Sequence, residues 1–350
     1  MGVQRLTYNR TVEYLNGIDG KRDNWMVVAK LILSELPGFC REVPYQIKKI
    51  AVKDACEAFT SNKVKASRTG KPFKMHFKSR KNPRQSCYIP KSAVKPDGIY
   101  HTMSGKMFFS ERLPETFGDC RLICKRRKWY LSVPEQIATV RPENQGRTVA
   151  IDPGIRKFAT FFSAESFGHI GHHDIGMINR LCHHLDDLLS RSSKTHARRR
   201  RRMRMAADRL RDRIENLIDE LHWKTIRFLT DNFDVIVYPT FAPSQMVPKS
   251  VRKIGRKSVR AMLNWSFGKF AVRLAQKCAE RGRVLIRNSE AYTSKTNTFT
   301  GELMKIGGRE SYLHEGCRID RDLAGARNIL LRALADTPLA SQTKVLSCIC

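Results

Sequence analysis

Residues Thr148-Val149-Ala150-Ile151-Asp152-Pro153-Gly154 constrain this chain more than any other stretch. A β-branched apolar run that stops at a carboxylate, with Pro-Gly next, reads as a buried strand ended by a tight turn. Phe158-Ala159-Thr160-Phe161-Phe162 reads as a second strand, so the pair predicts a hairpin with Asp152 at one end. Asp before Pro is also an ordinary turn former, which leaves two readings of Asp152: a turn residue or a positioned acid. A second acid after a strand, Glu290, and a third at a helix start, Asp322, favour the positioned acid.

The setting of these acids is strongly basic. Against 33 Asp and Glu stand 65 Lys and Arg, a formal charge of +32 over 350 residues with 41% hydrophobic content. That composition supports two or three units with their own cores, not a disordered tail. The excess charge repels itself unless a polyanion shares the working state, and nucleic acid is the natural partner. No apolar run is long enough to span a bilayer and no signal-peptide pattern opens the chain, so an intracellular protein without a membrane role is expected. The ten cysteines (40, 56, 87, 120, 124, 182, 278, 317, 348 and 350) contain no Cys-x-x-Cys pair, which argues against a disulfide framework or a zinc knuckle. Cys348 and Cys350 could bind metal or oxidise, but at a terminus idle thiols are the simpler reading.

The periodicities divide the chain. Residues 1–65 read as helical, with Ile47, Ile50, Ala51, Ala55 and Phe59 forming one stripe of a helix opened by Pro44. Lys48 and Lys49 fall on its other face, as solvated charges or phosphate contacts. Residues 66–140 read as short strands in a β-barrel-like unit. Within it Phe73 to Arg80 alternates apolar with basic, placing Lys74 and Lys78 on an outward face and Arg80 at its end. Basic and aromatic residues on such a unit can follow a sugar-phosphate backbone and stack on bases. From 147 to 335 strands and helices alternate, predicting a mixed α/β domain; residues 336–350 read as a tail. Five consecutive arginines, Arg198 to Arg202, lead into a helix ending near Trp223. Phosphate contact by Arg199, Arg200 and Arg201 is the preferred reading; a localisation tract or a solvated run are the alternatives.

Three acids converging from strand ends and a helix start suit Mg²⁺, which prefers octahedral oxygen coordination. Two such ions roughly 3.5–4 Å apart can activate water and stabilise the leaving oxygen of an in-line phosphodiester displacement. Each acid has a plainer reading as well: Asp320 or Asp322 as a helix cap, Glu290 as a surface residue before a turn.

Val149 to Phe158, Glu290-Ala291-Tyr292-Thr293-Ser294-Lys295-Thr296 and Asp320-Arg321-Asp322-Leu323-Ala324-Gly325-Ala326-Arg327 resemble the three catalytic motif regions of the TnpB and Fanzor family. These are transposon-encoded, RNA-guided DNA endonucleases with a RuvC, ribonuclease H-like nuclease domain, related to type V CRISPR effectors. Asp219-Glu220-Leu221-His222-Trp223-Lys224 and Tyr238-Pro239-Thr240-Phe241 resemble family text between the motifs. The resemblance implies an α/β RuvC-like domain over 147–335, with a helical insertion, behind a helical recognition segment and a wedge barrel. It also implies a guide RNA from the transposon end and a target DNA as partners, in the cytoplasm or nucleoid of a prokaryote or the nucleus of a eukaryote. Asp152, Glu290 and Asp322 would be both catalytic and ligands to two Mg²⁺ ions. Many family members place the glutamate at the end of the strand that here reads Val235 to Phe241, where no acid stands. A subset including Fanzor-like proteins supplies a rearranged glutamate before the TSKT motif, which matches Glu290.

Two departures bear on activity. The family's Cys-x-x-Cys-Gly zinc ribbon is replaced here by Asn297-Thr298-Phe299-Thr300-Gly301, with Cys317 alone near the second ligand pair, so structural Zn²⁺ is not expected in the degenerate ribbon at about 291–319. The family also usually has a strand ahead of the text that here reads Leu6-Thr7-Tyr8-Asn9-Arg10, and its loss would weaken RNA binding or DNA unwinding. A catalytically inactive, RNA-guided DNA-binding relative is therefore the rival reading, and a guide-free structure-selective nuclease a third.

Overall fold

The computed structural model describes residues 1–17, 23–140, 146–172, 174–241, 255–288, 293–304 and 309–336, in two compact units divided after Gln136. Among the described residues no helix is long and apolar enough to cross a membrane.

In the first unit α1 (Gly2–Asn16), α2 (Trp25–Ser34) and α3 (Tyr45–Thr69) share a core. Tyr8, Val12 and Leu15 meet Val28, Ala29, Ile32, Val52, Ala55 and Cys56 there, as the helical spacing requires. Helix α2 starts where the Asn24 side chain accepts the Met26 N–H at 3.0 Å, and α3 stops where Gly70 takes a left-handed φ of 65°. Strands β1 (Arg84–Ile89), β4 (Cys120–Lys125) and β5 (Lys128–Ser132) form an antiparallel sheet in the order β1-β4-β5. Strands β2 (Val94–Lys95) and β3 (Gly98–Ile99) pair beside it, and the short helix α4 (His101–Ser104) follows. No ring of paired strands closes a barrel among the described residues.

The alternating stretch 73–80 is not a strand. Its backbone is paired by amide side chains instead: Asn16 exchanges two hydrogen bonds of 3.0 Å with Met75, and Asn9 does the same with Lys78 at 3.0 and 2.7 Å. Seven residues apart, the two asparagines lie on one side of α1 and satisfy this chain as a neighbouring strand would.

The second unit is built on a five-stranded mixed sheet, β10-β9-β6-β7-β8. Strands β6 (Thr148–Pro153), β7 (Ala159–Ser163) and β8 (Phe167–Ile170) run as an antiparallel meander. Strand β9 (Val235–Val237) lies parallel to β6, and β10 (Val284–Ile286) parallel to β9. Helices α5 (Asp174–Ser193), α6 (Ala197–Asn232), α7 (Arg256–Trp265), α8 (Phe267–Arg281) and α9 (Arg321–Ala335) complete the mixed α/β class the sequence predicts. The arginine run lies inside α6, not ahead of it. Helices α7 and α8 abut, broken at Ser266, whose φ of 52° cannot continue an α-helix.

Alternation along β6 assigns its two faces. Val149 and Ile151 enter the larger core with Phe158, Ile218, Ile226, Leu229, Phe267 and Phe270. Ala150, on the opposite face, packs with Val237 against Ile329, Leu330 and Ala333 of α9. At the strand starts, Asp234 is 2% exposed and accepts from Arg147 at 2.9 and 3.0 Å and from Arg283, tying β6, β9 and β10 at one end.

Candidate active site

Asp152 shares its parity with Ala150, so it too faces α9. Its Oδ2 stands 2.8 Å from where a Cβ on Gly325 would be. Gly325 is one turn after Asp322 on that helix, and positions three apart lie on one face. The strand end therefore sets Asp152 against the second turn of the helix whose first turn carries Asp322, 170 residues further along the chain.

Asp320 and Asp322 divide two tasks. Asp320 is the N-cap of α9: its Oδ1 accepts the N–H groups of Asp322 at 2.8 Å and Leu323 at 3.1 Å. Burial opposes its ionisation, but those backbone donors and the Lys157 ammonium outweigh burial and hold its pKa below the usual carboxylate value. Asp322 sits in the first helical turn with its carboxylate half exposed, where the helix dipole favours negative charge.

The β6–β7 turn adds a cation. Gly154 N–H donates to Phe158 O at 3.2 Å, and a Cβ on Gly154 would meet the Lys157 carbonyl at 2.7 Å, so the turn closes only around glycine. Phe158 then enters the core in contact with His222, Trp265, Phe267 and Phe270, while Trp265 Nε1 donates to Ile155 O at 3.0 Å. Between these anchors Lys157 Nζ lies 3.1 Å from Asp322 Oδ2, 3.3 Å from Asp320 Oδ2 and 3.0 Å from His169 Nε2. Accepting from Lys157 at Nε2 leaves His169 its proton on Nδ1, which donates to Thr160 Oγ1 at 3.1 Å. Thr160 is the cross-strand partner of Asp152. Burial first, then Lys157, pushes the His169 pKa down, consistent with that neutral ring.

Glu290 lies outside the described residues. The chain on either side of it is fixed to α9: Asn288 Nδ2 donates to Ile329 O at 3.3 Å, and Asn328 Nδ2 donates to Thr293 O at 2.9 Å and Thr296 O at 2.8 Å. Asn288 O in turn accepts from Thr240 N at 2.9 Å, carrying the β9–β10 pairing onward. Lys157, His169, Gly325 and Asn328 are not singled out by sequence reasoning. The i, i+3 spacing of Asp322 and Gly325 is the one signal that points to any of them.

Carboxylate oxygens are the donors a hard cation takes, and an ammonium already neutralises Asp322. Among the described residues no group of three His, Cys, Asp or Glu side chains gathers as a complete metal site. A ribbon zinc does not fit. In the hairpin of β11 (Ser311–His314) and β12 (Cys317–Asp320), His314 stacks on Phe299 with centroids 4.7 Å apart, Arg327 lies over the same ring at 5.3 Å, and Cys317 is exposed. Cys348 and Cys350 lie outside the described residues.

The basic candidates occupy varied settings. Lys48 donates to Cys40 O at 2.7 Å, and Lys49 lies over the rings of Trp25 and Tyr45 at 5.6 and 5.8 Å. Lys78 is half-buried 3.5 Å above the Tyr8 ring, and burial lowers its pKa. Lys74 and Arg80 are exposed. In α6, Arg199 and Arg201 are exposed, whereas Arg200 donates to Thr195 O at 2.7 Å. Arg198, Arg199 and Arg202 line an open groove with His196, Leu188 and Met203.

A family model described as Cas12f1-like, TNB domain, matches residues 267–329, from α8 to the middle of α9. The putative transposase A625R of Paramecium bursaria Chlorella virus 1 is 27% identical over 314 residues, 83% of this chain and 70% of that protein. The TnpB-like protein L79 of Acanthamoeba polyphaga mimivirus is 23% identical over 212 residues, 58% of this chain; the match spans only 41% of that relative's length. Among solved structures, a chain from the cryo-EM structure of a Cas12f1-sgRNA-target DNA complex matches with a TM-score of 0.50 over 93% of this chain and 80% of its own, at 13% identity. The last likeness concerns the fold alone. The TNB match includes Asp320, Asp322 and Asn328, and the viral relatives match beyond it, so the chain is similar to TnpB-like proteins.

Proposed function

We propose that this protein is an RNA-guided DNA endonuclease whose cleavage centre is Asp152 and Asp322, with Glu290 as the third acid. The observation that carries the reading is the Asp152 carboxylate resting on Gly325, one turn from Asp322. Two carboxylates offered by a strand end and the start of the helix packed on it, in a chain of charge +32, suit the hydrolysis of a bound polyanion better than they serve the fold. The two would hold Mg²⁺ from two sides, together with Glu290. Divalent ions bound there supply an activated water and a stabilised leaving oxygen for in-line displacement at phosphorus. The chain's part is to fix the acids: β6 and its Gly154 turn hold Asp152, and the Asp320 cap sets the first turn of α9, from which Asp322 projects. A guide RNA from the transposon end would read the target by base pairing while basic residues of both units hold the backbones. Lys49, Lys74, Arg80, Arg199 and Arg201 are the candidates best exposed for that task, with Lys48, Lys78 and Arg200 engaged within the protein.

The test is plasmid nicking by protein co-expressed with the flanking transposon-end RNA, in Mg²⁺ and in EDTA. Cutting in Mg²⁺ alone, lost in Asp152→Ala and in Asp322→Ala with RNA-dependent DNA binding retained, is expected. Binding without cutting by the unaltered chain would favour the inactive relative. Cutting that survives ribonuclease treatment on branched DNA would favour a guide-free nuclease.

A further inference from the structure

The β6–β7 turn delivers an ammonium to the carboxylate of Asp322, 3.1 Å from its Oδ2. We propose that Lys157 is a resident cation of this centre, which competes with divalent ions for Asp322 and holds the turn against the start of α9 in their absence. The inference rests on the reading of Asp322 as a metal ligand.

Three features carry it. Lys157 is tightly placed: its carbonyl packs against Gly154, the next residue is locked in the core, and its own side chain is only 14% exposed. Its acceptors are two carboxylates two residues apart at one helix end, which repel one another unless a cation lies between them. Its third neighbour, His169, is oriented by Thr160, the residue paired with Asp152, so the ammonium is held from the strand side as well. A divalent ion that takes Asp322 Oδ2 must displace this ammonium or accept a like charge within about 4 Å, and either event weakens binding. The lysine thus stabilises the metal-free protein and raises the divalent concentration at which the centre fills.

Lys157→Met keeps most of the chain length and removes the charge. Titrating Mn²⁺ calorimetrically into the 350-residue protein, we expect binding about tenfold tighter in Lys157→Met, a difference of about 1.4 kcal/mol. In EDTA the variant should melt below the unaltered protein, and saturating Mn²⁺ should raise its melting temperature by more. Lys157→Arg should keep both original traits. If the methionine variant does not fold, Lys157→Gln, uncharged but polar, carries the same expectations. Unchanged or weaker Mn²⁺ binding in a folded, uncharged variant overturns the proposal. Asp322→Asn separates the failures. If it leaves Mn²⁺ affinity unchanged, the reading of Asp322 as a ligand falls; if it weakens binding while Lys157→Met does not tighten it, only the role of Lys157 falls.

Discussion

Asp152 rests on the bare backbone of Gly325, its Oδ2 2.8 Å from the place a Cβ would take. A methyl group there would push the carboxylate off the helix while adding the better helix former. Gly325→Ala should cut nicking at least tenfold, while helix propensity offsets the strain by about 1 kcal/mol and leaves the melting temperature nearly unchanged. Parallel nicking and thermal melts check this; full activity would remove Gly325 from the site.

The two acids of the Asp320-Arg321-Asp322 turn should separate by experiment. Asp320→Ala removes the cap from two N–H groups and should cost about 1 kcal/mol, with Asp320→Asn costing less. Cutting should fall only in part, more in Asp320→Ala than in Asp320→Asn, because Asp320 acts by holding the turn that carries Asp322. Asp322→Ala should show the reverse pattern: stability near that of the unaltered chain and no cutting.

Asp234 is the buried anchor of three strand starts. Replacing it with Ala leaves Arg147 and Arg283 without their shared acceptor. Removing the buried carboxylate should lower stability, though less than in a fully buried pair because Arg147 stays open to solvent. Chemical denaturation should show the loss in the second unit, and an unchanged midpoint would mean that solvent satisfies both guanidinium groups.

His222 supplies a pH signature. It is fully buried, with Nε2 donating to Trp265 O at 2.8 Å and Nδ1 facing Arg273; Asp219 and Lys269 complete its surroundings. Burial, with Arg273 and Lys269 adding and the Trp265 carbonyl and Asp219 opposing, lowers its pKa from 6.5 to about 4. The unfolded chain therefore takes up a proton that the folded chain refuses. Stability from this group is whole above about pH 6.5 and declines from there toward pH 4, by roughly 3 kcal/mol. His222→Gln, whose amide can still donate to Trp265 O, should flatten that decline relative to the unaltered protein in melts between pH 7 and 4.5.

What could be read from the sequence follows from how local each determinant is. Asp152 at a strand end and Asp322 in a helix start are written in adjacent residues, through β-branching, a Pro-Gly turn and a capping acid. The stretch at 73–80 has the period of a strand, yet its partners are two asparagines sixty-nine and fifty-nine residues earlier, and no local pattern reports them. The break at Ser266, next to the fully buried Trp265, likewise interrupts a helical period that runs on through the sequence. Lys157 looks like one more cation in a basic chain until β8 brings His169 across from it.

The period of two along β6 makes the centre intolerant of any change in residue count. Inserting or deleting one residue between Ala150 and Asp152 would turn the acid into the aromatic interior and leave an aliphatic side chain above Gly325. Variation within this strand is thus confined to exchanges that preserve its length, whatever their chemistry.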